Sequence, residues 1–254
     1  MQIEPIKNLR FKTVYGISYG ASEYRAYTPK YQFTPQTANT VSKVNQSHGH
    51  GLSMVWTNTL SYDFNIATEH HVNALIGSEL STYDGSNTEG SNTGLIPGFD
   101  DWDHAYLVNT NGTENKTVKG SPYDSTRGMS YFARLGWTWK ERYMVNATMR
   151  ADGSSKFAKG NRWGYFPSVS AGWTISEEKF MESVKSWFDF LKIRVSWGQV
   201  GNANINCYQY LAPVSTTNTN YNFGSGGGQD AWVTGSFTSR LANEKVKWET
   251  SEQY

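Results

Sequence analysis

The sequence predicts an all-β fold: a segment of an antiparallel, up-and-down β-barrel that spans a membrane. Apolar and polar residues alternate with period two over runs of about eleven residues, near the length that a tilted transmembrane strand needs. The connections between the runs include both very long and very short ones, as in barrels with long loops on one side of the membrane. Trp and Tyr cluster near the ends of the runs, where aromatic girdles meet the lipid headgroups.

Composition narrows the possible classes of protein. The chain has 254 residues and a net charge of +1, which gives no electrostatic case for a nucleic-acid partner. Aromatic residues make up 15% of the chain, with 10 Trp. The mean hydropathy of −0.61 does not exclude a membrane, because a barrel alternates lipid-facing and lumen-facing residues. The single cysteine, Cys207, excludes an internal disulfide and a thiolate metal cluster.

The clearest strands lie between residues 131 and 175. Three runs are predicted there, from Tyr131 to Lys140, from Tyr143 to Asp152 and from Gly164 to Ile175, and the first two are joined by a tight turn at Glu141-Arg142. Their odd positions are mostly apolar or aromatic and their even positions are mixed, so each strand has an apolar face and a more polar face. We expect one set of side chains to face hydrocarbon, Trp56, Leu135, Val145 and Ile193, and another to face water, Arg134, Asn146 and Arg194.

The remaining elements give about eight strands in all. Five more strands are predicted, at Leu9 to Gly20, Leu52 to Phe64, His71 to Leu80, Phe188 to Gly198 and Val246 to Tyr254. The polar stretches 21–51, 81–128 and 199–245 are predicted to be long loops. A short helix is predicted from Ser176 to Trp187, with Ser176 as its cap and Glu177 and Glu178 at its positive end.

Two other classes of protein stay open on the pattern alone. A soluble β-sandwich also alternates, so a secreted carbohydrate-binding module is the main alternative, and it predicts that Trp56 and Trp137 are buried between two sheets. An outer-membrane hydrolase would need a nucleophile and a base, and the sequence contains no nucleophile elbow and no zinc-protease motif. We therefore expect that the protein is not an enzyme.

Several motifs resemble one family. They are Arg150-Ala-Asp-Gly-Ser-Ser-Lys-Phe157, Asn161-Arg-Trp-Gly-Tyr-Phe-Pro-Ser168, Ser170-Ala-Gly-Trp-Thr-Ile-Ser-Glu-Glu178, Leu191-Lys-Ile-Arg-Val-Ser-Trp-Gly198 with Gly201-Asn202, and Val246-Lys-Trp-Glu-Thr250. Together they resemble the SusC/RagA class of TonB-dependent outer-membrane transporters of Bacteroidetes. The motifs cover the chain from about Tyr131 to Tyr254, and the first 130 residues match only in pattern.

The resemblance implies a 22-stranded barrel with an internal plug in the bacterial outer membrane. It implies import of oligosaccharides or peptides, driven by TonB, with a SusD-like surface lipoprotein as partner and no cofactor. Residues 1–254 are then expected to be part of the barrel domain, with the plug, the segment that contacts TonB and the strands that close the barrel outside it. Such a piece is expected to be an open sheet with two unpaired edges.

The expected ligand contacts are loop aromatics, because their rings can stack on sugar faces or peptide side chains. These residues are Trp102, Tyr123, Tyr221 and Trp232. The strongest family signature is instead expected to be structural, a loop ordered by turn residues and charge pairs, with Trp163 at the membrane boundary. Its residues are Arg150, Asp152, Lys156, Arg162 and Trp163.

No metal site is predicted. Asp100-Asp-Trp-Asp103 with His104 has oxygen ligands suited to Ca²⁺ but lacks the spacing of a full cation loop, so a solvated loop is the preferred interpretation. His48-Gly-His50 and His70-His71 are zinc-ligand pairs in separate connections, expected at opposite edges of the sheet.

Overall fold

The structure is a computed structural model that describes residues 1–122, 125–184, 187, 189–216, 219–222 and 232–254. The chain forms two compact units. The first comprises Met1–Val14, Trp56–Leu80 and Arg127–Tyr254, and the second comprises Tyr15–Val55 and Ser81–Thr126. Among the described residues, no helix has the length and apolar character needed to cross a membrane.

Ten strands form one sheet among the described residues. They are β1 Gln2–Ile6, β2 Leu9–Thr28, β5 Lys43–Ile66, β6 His70–Thr93, β7 Thr117–Pro122, β8 Thr126–Trp139, β9 Tyr143–Ser154, β10 Trp163–Thr174, β11 Lys192–Asn202 and β16 Glu249–Gln253. The order along the sheet is β1-β2-β5-β6-β8-β9-β10-β11-β16, with β7 paired to β6. Three two-stranded sheets pair β3 Tyr31–Gln32 with β4 Ala38–Asn39, β12 Val214–Ser215 with β15 Phe237–Thr238, and β13 Asn220–Asn222 with β14 Trp232–Thr234.

The predicted alternation fixes the register of the first unit. Leu135 lies opposite Ala147, which lies opposite Val169 on the next strand, so these apolar positions form one row across β8, β9 and β10. The neighbouring row on the other face joins Arg134, Thr148 and Ser168. A shift of one residue would exchange the two faces, so the pattern of the side chains determines the pairing.

The apolar face is exposed. More than a third of each diagnostic side chain is accessible, at 45% for Trp56, 53% for Leu135, 38% for Val145 and 52% for Ile193. The prediction of a sheet with an exposed apolar face is therefore confirmed. The sandwich alternative is wrong, because it requires Trp56 to be buried between two sheets.

Short turns meet at one edge of the first unit. The backbone N–H of Lys140 donates to the carbonyl of Glu69 at 2.8 Å, and that of Thr174 donates to the carbonyl of Arg142 at 2.8 Å. Lys140 and Glu141 both have positive φ, 51° and 57°, so the tight turn begins one residue earlier than predicted. In the first unit, the longer connections 155–162 and 203–248 leave and rejoin the strands at the opposite edge, because consecutive strands are antiparallel.

Three strands are much longer than predicted. β2 has 20 residues, and β5 and β6 have 24 each, so much of the stretches 21–51 and 81–128 is strand and not loop. These extensions are rich in Ser, Thr, Asn, Gly and His and lack an apolar face. Their ladders are held by backbone hydrogen bonds, which a pattern of side chains does not reveal. β1 and β7 were also not predicted.

The predicted helix at Ser176 to Trp187 is wrong in type. The described residues there form two 3-10 helices, Ile175–Glu177 and Lys179–Val184. Phe180 and Trp187 are exposed and do not pack together on a buried face, and a short helix without such packing is marginal. Ser176 is fully buried and its Oγ has no hydrogen-bond partner among the described residues, so it does not act as a cap.

The second unit has a small core of its own. Val44, Leu95 and Ala105 are buried together, and Tyr27 and Leu107 pack against them. The backbone N–H of Leu95 donates to Oγ of the buried Ser42 at 3.1 Å. The 3-10 helix Leu107–Asn109 follows, and the Oε1 of Gln46 accepts from the backbone N–H of Leu107 at 2.8 Å. The connection around residues 94–110 is therefore packed against its strands.

Adjacent substitutions on β10 test which face meets lipid. Val169→Arg places a charge midway along the exposed apolar face and should destabilise the protein in lipid vesicles by about 2–4 kcal/mol, the cost of Arg near a bilayer midplane. Ser170→Arg, one residue on, points to the polar face and should cost much less. The measurement is urea unfolding in vesicles, and equal losses for both variants would contradict the assignment of faces.

Candidate functional site

Aromatic side chains line the short-turn end of the apolar face. Trp139 stacks on Tyr143 with ring centroids 5.4 Å apart, and Tyr143 stacks on Trp173 at 6.3 Å. The ring of His70 lies 5.8 Å from those of both Trp137 and Trp139, and the indole N–H of Trp137 donates to His70 Nδ1 at 3.1 Å. This cluster has the composition of an aromatic girdle at a membrane–water boundary.

A second aromatic cluster lies at the other end of the same face. Tyr131 stacks on Trp163 with centroids 6.0 Å apart, and Tyr165 is exposed beside them on β10. Tyr131 and Trp139 are eight residues apart on β8, a separation of about 27 Å along a strand. In a barrel strand tilted by about 35–45°, this separation spans roughly 20 Å along the membrane normal, which is most of the apolar zone of an outer-membrane barrel, about 25 Å tall.

Glu178 holds the turn-side cluster in place. Its Oε1 accepts from the Tyr143 hydroxyl at 2.5 Å and from the Trp173 indole N–H at 3.1 Å, and its Oε2 lies 3.4 Å from Arg142 Nη1. The side chain of Glu178 is only 14% exposed. The sequence placed this carboxylate at a helix start, whereas the structure uses it to accept the polar tips of two girdle rings.

These donors, the Tyr143 hydroxyl first, then Trp173 and Arg142, lower the pKa of Glu178 below its usual value. A folded-state pKa that is lowered means that the carboxylate stabilises the fold above the unfolded pKa of about 4.3 and that this contribution is lost as pH falls through the folded value.

Glu178→Gln keeps the shape of the side chain and removes the charge. We expect the variant to unfold at lower urea than the unmodified protein at pH 7, and the difference between the two midpoints to shrink steadily below about pH 4.3 as the native carboxylate protonates. Urea midpoints in lipid vesicles between pH 3 and pH 7 measure this. A difference that does not change with pH would rule out an ionised Glu178 as the acceptor.

The opposite face of the first unit carries a charge network at the loop side. Arg150 Nε donates to both carboxylate oxygens of Asp152, at 2.7 and 2.9 Å, and Arg150 Nη2 donates to Ser130 Oγ at 3.2 Å. Glu79 lies 3.6 Å from the same guanidinium, which also sits 5.6 Å from the Phe132 ring centre. The guanidinium of Arg150 thus connects β6, β8 and β9 on the polar face.

The rest of the signature forms an ordered loop. Lys156 Nζ donates to the carbonyl of Ala203 at 3.4 Å, and Arg162 Nε donates to that of Phe157 at 3.3 Å. Phe157 is fully buried, with the Trp248 ring 5.4 Å away, and the Trp248 indole N–H donates to the carbonyl of Arg162 at 2.9 Å. These contacts agree with a structural role for the signature, which stays a prediction until its stability is measured.

Removing the buried ring tests that role. Phe157→Ala should destabilise the protein by about 3–5 kcal/mol, the usual cost of truncating a buried Phe. Phe180→Ala removes an exposed ring and should change stability by no more than about 0.5 kcal/mol. Urea unfolding followed by tryptophan fluorescence compares them. A loss at Phe157 no larger than at Phe180 would contradict a structural signature.

In the second unit, Trp102 stands over an arginine. The guanidinium carbon of Arg25 lies 4.4 Å from the Trp102 ring centre and 4.3 Å from that of Tyr106. Trp102 is nevertheless 51% exposed, so Arg25 fixes the ring while much of its surface stays accessible. The sequence did not single out Arg25, because it lies in a stretch that was predicted to be a loop.

The acidic loop beside Trp102 is engaged with protein donors. Tyr27 OH donates to Asp100 Oδ1 at 3.2 Å, and Lys30 Nζ lies 3.2 Å from Asp100 Oδ2. Partial desolvation raises the pKa of Asp100, but hydrogen bonds from Lys30, Ser42 and Tyr27 outweigh it and leave that pKa below its usual value. Asp101 accepts from the backbone and the ring of His104, each at 2.9 Å. In the described part of the chain, no three His, Cys, Asp or Glu side chains are placed to hold a metal ion.

The other proposed ligand contacts are placed as follows. Tyr221 lies in β13, opposite Val233, and its ring covers Gly235, where a Cβ would come within 2.0 Å of it. Tyr123 and the side chain of Trp232 lie outside the described residues. The role of all four aromatics in binding stays a prediction.

The chain belongs to the TonB-dependent receptor family of β-barrels. A family model described as TonB dependent receptor-like, beta-barrel, matches residues 6–254. The resemblance to the SusC/RagA class is confirmed by individual relatives. The chain is 31% identical over 197 residues to TonB-dependent receptor P26 of Formosa agariphila, covering 76% of this chain and 18% of that protein. It is 42% identical over 124 residues to TonB-dependent receptor SusC of Bacteroides thetaiotaomicron, covering 48% and 12%.

A solved structure has the same fold. The RagAB peptide transporter matches over 99% of this chain and 26% of the matched chain, with a TM-score of 0.78 and 25% identity. The chain thus spans between 12% and 22% of the length of the curated relatives that it matches.

Proposed function

We propose that the chain forms part of the wall of an importer in the bacterial outer membrane. The importer would take up oligosaccharides or peptides with energy delivered through TonB, in partnership with a SusD-like surface lipoprotein. The wall performs no covalent chemistry. It separates lipid from a polar interior and carries loops that contact the cargo.

One observation carries the proposal: the exposed apolar band of the first unit, bracketed by two aromatic clusters and backed by a polar face. A soluble protein rarely leaves so large a contiguous apolar surface open. In a bilayer the same surface is satisfied by lipid, and the ladder hydrogen bonds satisfy the backbone. The family of the chain and its likeness to SusC and to the RagAB peptide transporter support the choice of transport over the other uses of a barrel.

The named relatives and the family resemblance support the proposed cargo and partner. RagAB is a peptide transporter, and the resemblance to the SusC/RagA class implies import of oligosaccharides or peptides with a SusD-like surface lipoprotein. Both cargo classes present surfaces on which aromatic rings can stack, so the exposed ring of Trp102 suits either.

Energy coupling is tested in cells that express the protein. Uptake of fluorescent oligosaccharides and of fluorescent peptides is measured with TonB present and after TonB is depleted. We expect uptake of one of the two cargo classes to be lost on depletion, and the lipoprotein to co-purify with the protein in detergent. Uptake of both classes that is unchanged without TonB would overturn the proposal.

Trp102→Ala tests the loop contact. A stacked ring contributes about 0.5–1.5 kcal/mol, so the variant should bind cargo about two- to tenfold more weakly. Trp187→Ala is the matched control, since Trp187 is a still more exposed tryptophan in the connection between β10 and β11. Titration of cargo against both variants gives the comparison, and an equal loss in the two would remove Trp102 from the binding surface.

A further inference from the structure

The apolar face of the first unit contains a hollow that crosses β2, β5, β6, β8 and β9. It occupies about 510 Å³, within the range of about 300–1,000 Å³ typical of small-ligand sites. Most of its lining is apolar and belongs to the face that carries Trp56 and Leu135, since these side chains are in phase with them along the strands. The apolar lining consists of Phe11, Leu60, Ile76, Ala133, Met149 and Ala151.

Two alanines create the hollow. Ala133 lies opposite Met149, and Ala151 lies opposite Tyr131, in the paired strands β8 and β9. Each small side chain leaves a gap beside a large one, and the two gaps join because they lie in neighbouring rows of the same face. Ile76 and Met149 stand at the rim, exposed by 58% and 43%. The hollow is therefore open to whatever surrounds the apolar face.

Asn58 and Ser78 form a polar end to the hollow. Thr57 Oγ1 donates to Glu79 Oε2 at 3.1 Å across the same two strands, and a Cβ on Gly77 would come within 3.0 Å of the Asn58 carbonyl oxygen. Both contacts place Asn58 beside Ser78 in the ladder. Because side chains alternate along a strand, both point away from the face that carries Glu79 and so toward the apolar face.

Neither polar side chain is hydrogen-bonded to the protein. In the residues that the structure describes, the amide of Asn58 and the hydroxyl of Ser78 make no hydrogen bond, and both residues are partly buried. Hydrocarbon supplies no donor or acceptor, so a polar group on a lipid-facing surface requires a partner that does. The amide needs both a donor and an acceptor. The hollow therefore fits an apolar ligand that carries polar groups at one end.

The polar end lies on the loop side of the apolar band. The ring of Phe132 covers Gly77, so the antiparallel pairing of β6 with β8 places Tyr131 beside Ser78. Tyr131 belongs to the loop-side aromatic cluster, where it stacks on Trp163. Aromatic clusters of this kind lie at the level of the lipid headgroups. The hollow thus begins at the membrane boundary, and its apolar part extends into the hydrocarbon zone.

The polar pair distinguishes two kinds of membrane lipid. A phospholipid joins its chains through esters, which accept hydrogen bonds but donate none. Lipid A, the membrane portion of lipopolysaccharide, has amide-linked 3-hydroxyacyl chains, so an N–H and an O–H stand close to the chain carbonyl. These groups can donate to Asn58 Oδ1, while the carbonyl accepts from the Asn58 amide or from Ser78 Oγ. Lipid A therefore satisfies both halves of the amide, and a phospholipid satisfies one.

We propose that this hollow holds one 3-hydroxyacyl chain of lipid A, with the chain in the apolar part and its amide and hydroxyl at Asn58 and Ser78. The inference rests on the proposed function, because lipopolysaccharide occupies the outer leaflet of the bacterial outer membrane, on the side of the long loops. The lipid is a fixed part of the wall's surroundings and is not cargo.

Native mass spectrometry of the full-length protein in detergent tests the site. It counts the lipids that stay bound to each protein and separates monomers from dimers. The probes are lipid A and dimyristoyl phosphatidylethanolamine, each titrated against delipidated protein. We expect lipid A to bind about two- to tenfold more tightly than the phospholipid, the difference that one additional net hydrogen bond makes.

Matched substitutions on β8 and β9 test the apolar part. Ala133→Trp fills the hollow and should abolish the binding of lipid A. Ala147→Trp adds the same bulk to the same face, opposite Leu135 and outside the lining, and should retain it. Both positions face lipid, so neither substitution disturbs the packing between strands.

A second pair of substitutions tests the polar end. Asn58→Leu keeps the approximate size of the side chain and removes its hydrogen bonds, so it should remove the preference for lipid A over the phospholipid. Asn146→Leu is the matched control, because Asn146 lies opposite Gly136 on the polar face, and it should leave the preference unchanged.

Equal affinities of the two lipids, retention of lipid A by Ala133→Trp, or an equal loss in Ala133→Trp and Ala147→Trp would overturn the site. A dimer that Ala133→Trp alone disperses would also overturn it, because the hollow would then receive a second copy of the chain. Failure of the site is distinguishable from failure of the transport proposal, since uptake that depends on TonB is measured in cells and does not require lipid A in the hollow.

Discussion

The exposed apolar face of the first unit is the constraint on which the other features depend. Leu135, Ala147 and Val169 form a row across three strands that has no protein above it in the described structure. In water this surface would be a strong drive to aggregate. In a bilayer the apolar face contacts lipid, and rings with polar tips are favoured at its two ends, where the lipid headgroups begin. The two aromatic clusters lie at those ends.

The two ends of the wall are built differently. At the short-turn end, Glu178 gathers the polar tips of Tyr143 and Trp173, and Lys140 pairs with Glu69 across two turns at 3.2 Å. At the loop end, Arg150, Asp152 and the loop closed over Phe157 join neighbouring strands. Bonded ends of this kind suit the proposed role as part of a transporter wall, because loops that contact a ligand need a fixed support.

The sequence predicted the band well because burial in lipid imposes period two on the side chains, as at Leu135, Val145 and Ile193. The sequence-based prediction failed where side chains do not face lipid. The parts of β2, β5 and β6 that were predicted to be loops have no apolar face, and the backbone hydrogen bonds that pair them cannot be recognised from residue composition. The contacts of Glu178 and Arg25 were missed because their main partners are distant in sequence, with Tyr143 35 residues from Glu178 and Trp102 far along the chain from Arg25. Arg25 also lies in a stretch that was predicted to be a loop. The family motifs identified the class but not the ligand, since they lie in the ordered loop and the strands.

The orientation of the two faces can be measured residue by residue. Single spin labels at Ala133, Arg134 and Leu135, introduced one at a time into the protein reconstituted in lipid bilayers, report collision rates with dissolved oxygen and with a water-soluble nickel chelate. We expect high oxygen and low nickel accessibility at Ala133 and Leu135, and the reverse at Arg134. Accessibility to the nickel chelate that is equally high at all three positions would contradict a lipid-facing band.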